Sequence, residues 1–345
     1  MKFNIFSGKL DVKMSNSVLK AAIVGCGNIH RCHIEGIERC GNASLYAVCD
    51  VIKERADAAA AAHSCKAFYS FDELMADGGF DVLHICTPHY LHAGMALRAM
   101  AAGKHVLTEK PMAISVEDAR RMIEASEKYG VSLAVNFQNR YNEASLYLRQ
   151  LLGSGKLGKI KGARAFVIWD RDEAYYNSGE WRGKWSTEGG GVLINQALHT
   201  VDLMQWLIGE RVSSVKGSIS TKRLSDTIEV EDTADALVTF ESGARLVIFA
   251  TLAYAANSPI LMEFICENGI ITVGSDIRVK LNGQPETVED INHISGEKGY
   301  WGTGHPALIA DFYDSIVNNR PYGISGSEGI KALEIVEEIY RQGRG

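Results

Sequence analysis

A chain of 345 residues with 46% hydrophobic and 23% charged side chains has the composition of a globular protein of about two domains. Its formal net charge of −6 argues against nucleic acid or an anionic membrane as a partner. No apolar run approaches the roughly 20 residues needed to cross a bilayer. The first stretch, MKFNIFSGKLDVKMSNS, lacks the apolar core of a secretory signal. It reads as a leader over residues 1–17, with Met14 as an alternative start. The seven cysteines (26, 32, 40, 49, 65, 86 and 266) are odd in number and form no C-x-x-C pair, so reduced thiols in a cytoplasmic protein are expected.

Ala21 to Val24 is too short an apolar run for a helix and suits a buried parallel strand. Gly25 and Gly27 follow at once, and from Asn28 and Ile29 apolar residues recur at helical spacing. The first glycine permits the turn, and the second lets a pyrophosphate approach the backbone at a helix N-terminus. Ser44 to Cys49 is the next strand, and Asp50 stands at its end, where a ribose-binding carboxylate is expected. His30 replaces the third glycine of the G-x-G-x-x-G pattern, a position that serves helix–strand packing. His30, Cys32 and His33 fall on different sides of one helix, so no metal site is expected.

Strands and helices then alternate. The strands are 66–69, 81–86, 105–108 and 132–136, and the helices are 53–63, 71–76, 91–102 and 116–129, with Ser115 as an N-cap and Gly130 as a stop. This rhythm predicts a doubly wound parallel sheet over residues 18–140. After Arg140 the pattern changes. One helix over 144–152 leads into strands at 163–169, 212–221, 233–240, 245–254, 260–267 and 270–273, and helices at 305–318 and 331–342 close the chain. Residues 141–345 thus read as an α+β domain with a large, mostly antiparallel open sheet. One face of that sheet is expected to carry helices and the other to pair with a second subunit.

Three stretches carry chemistry. Lys110, in Thr-Glu109-Lys-Pro, ends a strand at the sheet edge where such folds bind ligands. Desolvation would lower its pKa enough to help move a proton. The second stretch, EGGGVLINQALHTVDLMQWLIG, places Asn195, His199, Asp202 and Trp206 on one helical stripe behind a glycine triplet that would admit a ligand. His199 is an acid/base candidate, and the competing reading is a core histidine bonded to Asp202. Third, Arg182, beside Trp181, would clamp a carboxamide, phosphate or carboxylate. Thr87, Pro88 and His92 lie at the mouth of the same crevice.

The motifs AAIVGCGNIH, CTPHYLH, TEKPMA, WRGKW, GGGVLINQALHTVDLMQWLIG and HPALIADFYDSI together resemble the glucose–fructose oxidoreductase / inositol dehydrogenase / rhizopine-catabolism (Gfo/Idh/MocA) family over nearly the whole chain. The resemblance implies an N-terminal Rossmann domain, a C-terminal α/β domain, and a homodimer or homotetramer. It also implies NAD(P)-dependent oxidation or reduction of a secondary alcohol carbon of a sugar or cyclitol. It assigns Lys110 and His199 to the reacting hydroxyl, with Asn195 where the family often has an acid. The expected catalytic set is therefore Lys110, His199 and Asn195, with Arg140 added as a substrate contact. The expected cofactor set is Gly25, Gly27, Asn28, Ile29, Asp50, Thr87, Pro88, His92, Glu109, Lys110, Trp181 and Arg182. Asp50 would repel a 2′-phosphate, which favours NAD over NADP. Two other activities fit the same residues: a glycosidase working by transient oxidation and elimination, and a non-catalytic ligand-binding protein that has lost its acid at 195.

Overall fold

The computed structural model describes residues 18–289 and 302–344, so the leader and Met14 lie outside the described residues. The first unit alternates β1 (Leu19–Val24), α1 (His30–Arg39), β2 (Ala43–Cys49), α2 (Lys53–His63), β3 (Lys66–Phe68), α3 (Phe71–Asp77), β4 (Val82–Ile85), α4 (His92–Ala101), β5 (His105–Thr108), α5 (Val116–Tyr129) and β6 (Leu133–Val135). All six strands run parallel in the order β3-β2-β1-β4-β5-β6. That order places the topological switch between β1 and β4, where an open sheet of this kind leaves a crevice at its carboxyl edge. Residues 21–24 and 82–85 are wholly buried, as continuous apolar strands covered on both faces must be. Ser115 caps α5 by accepting from the Asp118 N–H, and Gly130 ends it at φ +65°.

The second unit begins with α6 (Glu143–Gly153), β7 (Ile160–Ile168) and α7 (Glu173–Asn177). A single π turn over Leu193–Ala197 then runs into α8 (Leu198–Ile208). Next come β8 (Val212–Ser220), β9 (Thr233–Phe240), β10 (Arg245–Thr251), β11 (Leu261–Cys266), β12 (Gly269–Val273), β13 (Ile277–Leu281) and β14 (Thr287–Glu289), closed by α9 (Gly304–Val317) and α10 (Gly326–Gly343). The sheet has eight strands in the order β14-β13-β12-β11-β7-β10-β9-β8. It is antiparallel except where β7 and β10 run parallel, which brings β7 to its centre. Strands β13 and β14 and helix α7 extend the sequence reading. The alternation in Ile277-Arg-Val-Lys-Leu281 signals β13, whereas α7 spans too few residues to show a period.

The closing helices return to the first unit. α9 packs on α1, with Ile309 seated over Gly36, where any Cβ would collide with it. α10 packs on α5 and β6, and Ala134 bridges to Ser325. Phe137, Phe312 and Tyr313 are fully buried at this seam. Each such side chain contributes about 1.5–3 kcal/mol through the apolar surface it removes from water.

Candidate active site

The residues singled out by sequence gather along the carboxyl edge of the parallel sheet. Gly25 to Ile29 follow β1, Asp50 follows β2, Thr87 and Pro88 follow β4, and Glu109 and Lys110 follow β5. Gly25 has φ +95°, and a Cβ there would stand 2.5 Å from the Cys86 carbonyl oxygen, so only glycine fits. Nothing lies within 4 Å of a Cβ built on Gly27, and no side chain caps the start of α1. The open backbone and the uncapped helix N-terminus together suit a pyrophosphate. Asp50 closes the turn from below: its carboxylate accepts from the Cys26 N–H at 2.7 Å and the Ile52 N–H at 2.8 Å.

The Lys110–Pro111 peptide is cis, and the Lys110 ammonium crosses to the second unit. It donates to the Asn195 carbonyl oxygen at 2.6 Å and to Asn195 Oδ1 at 3.3 Å. The π turn sets this meeting point, because its wider register interrupts the regular helix at 195. Burial lowers Lys110 to about 8, Glu109 and Glu188 oppose the shift, and Arg182 adds to it. His199 follows one turn after Asn195, with its ring edge-on to Phe137 at 5.9 Å. Its Nδ1 is buried without a hydrogen-bond partner. Burial first, then the Lys110 charge, holds its pKa well below the ordinary histidine value. A neutral imidazole is a proton acceptor and an ammonium a hydrogen-bond donor, the pair that chemistry on an alcohol needs.

Several expectations are corrected. Asp202 does not bond His199, because Arg140 takes it in a bidentate pair at 2.8 and 2.6 Å with both side chains buried. Arg140 also reaches Glu328 at 3.4 Å and lies over Trp206. Its guanidinium is thus committed to protein partners, and the structure gives it no role as a substrate contact. The glycine triplet admits protein, not ligand. A Cβ on Gly189 would meet Ile114, one on Gly190 the Tyr340 hydroxyl, and one on Gly191 the Glu231 carbonyl. His92 is fully buried between the carbonyls of Thr87 (2.9 Å) and Pro111 (2.8 Å), so it braces the crevice loops and does not face a cofactor.

Glu109 also turns inward. Oε1 accepts from His33 Nε2 at 2.9 Å and Asn136 Nδ2 at 2.5 Å. Burial alone would raise its pKa. The hydrogen bond and charge of His33, with help from His305 and Asn136, instead hold it well below the carboxylate range. The chain continues: His33 Nδ1 lies 2.8 Å from His84 Nδ1, and His84 Nε2 lies 2.9 Å from the Tyr313 hydroxyl. One tautomer set satisfies every link, with each proton donated toward Glu109. His33 is therefore engaged in this network. Trp181 packs tilted against His89 with ring centroids 4.6 Å apart, and Arg182 donates to the Tyr175 hydroxyl at 2.6 Å and lies over the Tyr175 and Trp181 rings.

Sequence reasoning overlooks three groups that build the site. Glu231 is buried and accepts from the Gly191 N–H (2.8 Å), the Leu193 N–H (3.0 Å) and the Tyr340 hydroxyl (2.8 Å), so it anchors the entry to the π turn. Tyr175 receives Arg182, Gln196 and Asn195 on one hydroxyl. Glu188 holds Asn195 from behind. The Glu-Gly-Gly-Gly start marks Glu188 as adjacent to a conformationally constrained turn, but Glu231 and Tyr175 give no local signal.

A glycine turn at the switch point of a parallel sheet, with a lysine from that sheet's edge bonded to the turn that leads into the His199 helix, is the arrangement of a nucleotide-dependent oxidoreductase. Residues 19–137 match the family described as oxidoreductase family, NAD-binding Rossmann fold, and residues 145–272 match the GFO/IDH/MocA C-terminal domain. The chain belongs to this Gfo/Idh/MocA family of NAD-binding oxidoreductases. It is 33% identical to the WlbA dehydrogenase from Bordetella pertussis, solved with NADH and UDP-GlcNAcA. That match covers 95% of this chain and 97% of the other at a TM-score of 0.83. It is 25% identical to the myo-inositol 2-dehydrogenase of Thermotoga maritima over 91% of this chain and 93% of the relative. It is 27% identical to the D-glucoside 3-dehydrogenase of Escherichia coli K12 over 86% and 92%.

Proposed function

We propose that the protein transfers hydride between NAD and a secondary alcohol carbon of a pyranose sugar, a sugar derivative or a cyclitol. The observation that carries the reading is the Lys110 ammonium, from the end of β5, bonded to Asn195 one helical turn before His199. Bound NAD supplies the hydride acceptor. Gly25, Gly27, Asn28 and Ile29 hold its pyrophosphate, Asp50 its ribose, and Thr87, Pro88, Trp181 and Arg182 line the crevice beside it. Lys110 donates a hydrogen bond to the alcohol oxygen, and His199 takes the hydroxyl proton, because burial keeps its ring neutral. Asn195 orients the substrate hydroxyl and accepts from Lys110. The three relatives are named for a nucleotide-linked amino sugar acid complex, a cyclitol and a glucoside, which supports the substrate class.

A panel of sugars, cyclitols, glycosides and nucleotide sugars, followed at the NADH absorbance band, tests the proposal. Net NADH formation with one compound is expected. Release of an aglycone without net NADH would replace it with the elimination glycosidase, and tight NAD binding with no turnover would replace it with a ligand-binding protein.

Asp50 supports NAD over NADP, since its carboxylate repels a 2′-phosphate. Asp50→Asn keeps an acceptor for the glycine turn but removes the charge. It is expected to raise NADP affinity relative to NAD by roughly tenfold in calorimetric titrations. An unchanged ratio would remove Asp50 from cofactor choice.

We place the protein in the cytoplasm, a reading supported by seven cysteines that form no disulfide. None of the described helices is long and apolar enough to cross a membrane. The proposed homodimer or homotetramer uses the outer sheet face, where Val247 pairs with Leu237 and Ile265 with Ile270, all exposed.

A further inference from the structure

We propose that Glu188 is the positioning carboxylate of this active site and acts on Lys110 through Asn195. It deepens the reading of Lys110 as the group that polarises the alcohol, and rests on it. Glu188 is 1% exposed, and the reaction as derived gives it no task. Both of its oxygens are occupied: Oε1 accepts from Asn195 Nδ2 at 2.5 Å, and Oε2 accepts from the Gly183 N–H at 2.5 Å. Asn195 in turn accepts from Lys110 on Oδ1 at 3.3 Å. A carboxylate only accepts and an ammonium only donates, so the amide has one orientation that serves both. Glu188 therefore fixes which face of Asn195 meets Lys110. The negative charge that position 195 lacks sits one hydrogen bond further back.

The electrostatic surroundings agree. Lys110 faces Glu109, Glu188 and Arg182, and its own charge reaches His89, His92 and His199, whose pKa values burial lowers. Glu109 is the first of the two carboxylates that oppose the effect of burial on Lys110, and it spends Oε1 on His33 and Asn136. Glu188 is the other carboxylate that sustains the ammonium against burial. Around Glu188 stand Lys110, Arg182 and the phenols of Tyr175, Tyr176 and Tyr340. Burial raises the Glu188 pKa, and the Gly183 N–H, Asn195, Arg182 and Lys110 work against that rise.

Competitive acetylation of Lys110, read by mass spectrometry across pH in the substrate-free full-length protein, tests this without turnover. In E188Q the Lys110 midpoint is expected to move about one pH unit lower, because a nearby negative charge is gone. In E188Q/N195D the carboxylate is carried on residue 195, the glutamine amide donates to it, and its oxygen accepts from Gly183. The midpoint is expected to return toward wild type. With an active substrate, the basic limb of kcat/KM is expected to shift in the same order across the three proteins, with E188Q the lowest. An E188Q midpoint equal to wild type, or a swap no better than E188Q alone, overturns the proposal. If E188Q does not fold, Asn195→Ala cuts the same link from the other side, and an unmoved Lys110 midpoint there overturns it equally. A protein inert toward every alcohol yet showing the shift would sink the dehydrogenase reading, and with it the catalytic role of Glu188, while keeping the Glu188–Asn195–Lys110 link.

Discussion

Lys110→Met is expected to lower kcat by about a thousandfold while NADH affinity stays within about threefold of wild type. Methionine keeps the length and the apolar stem but removes the three N–H donors, so the Asn195 carbonyl and the alcohol oxygen lose their partner. The dinucleotide turn lies on other strand ends and keeps its contacts. Stopped-flow turnover and fluorescence titration of NADH separate the two effects. The pH profile gives a sign. Lys110 is useful as the ammonium, and burial has brought it to about 8. The rate of alcohol oxidation is therefore expected to fall as pH rises through about 8, where the ammonium loses its proton. His199, held well below its ordinary value, is already a base on the acid side of that limit. A rate that climbs through the same range, and keeps climbing in Lys110→Met, would reassign the roles.

Arg140→Met is expected to damage the fold and not the Michaelis constant. Arg140 is 3% exposed, and Asp202 is 1% exposed. Removing one partner of a buried, bidentate ion pair leaves the other charged without compensation, at a cost of about 3–5 kcal/mol. The denaturant midpoint should drop accordingly. Burial already raises the Asp202 pKa and Arg140 restrains the rise, so the variant's Asp202 binds its proton still more readily. The deficit should therefore shrink as pH is lowered and the buried carboxyl becomes neutral. Asp202→Asn in the same background should recover part of the loss by removing the stranded charge. A wild-type midpoint combined with a raised KM would return Arg140 to the substrate pocket.

The parallel sheet is legible because its strands are continuous apolar runs bounded by turn residues. Lys53–His63, His105–Thr108 and Thr233–Phe240 coincide with their expected limits. The convergence of Lys110 with Asn195 is also accessible, since each ends or starts an element in a recognisable motif. Partners chosen by the tertiary fold are not accessible. Asp202 sits one turn from His199 in sequence, yet a guanidinium 62 residues away takes it. His84 finds Tyr313 across 229 residues, and Glu109 finds His33 across 76. No period or spacing encodes such pairs. The glycine triplet misleads for a related reason. The absence of a Cβ states that something approaches closely, and here the visitors are Ile114, Tyr340 and Glu231.

The return of α9 and α10 onto α1, α5 and β6 has a consequence for engineering. The dinucleotide half cannot be excised at Arg140 as an autonomous module, because cutting there would strip Ile309 from Gly36, Tyr313 from His84 and Ser325 from Ala134. A chimera that grafts a foreign sugar-recognition sheet onto this nucleotide unit must keep this chain's own two terminal helices. The splice points therefore number two, one after Arg140 and one before α9.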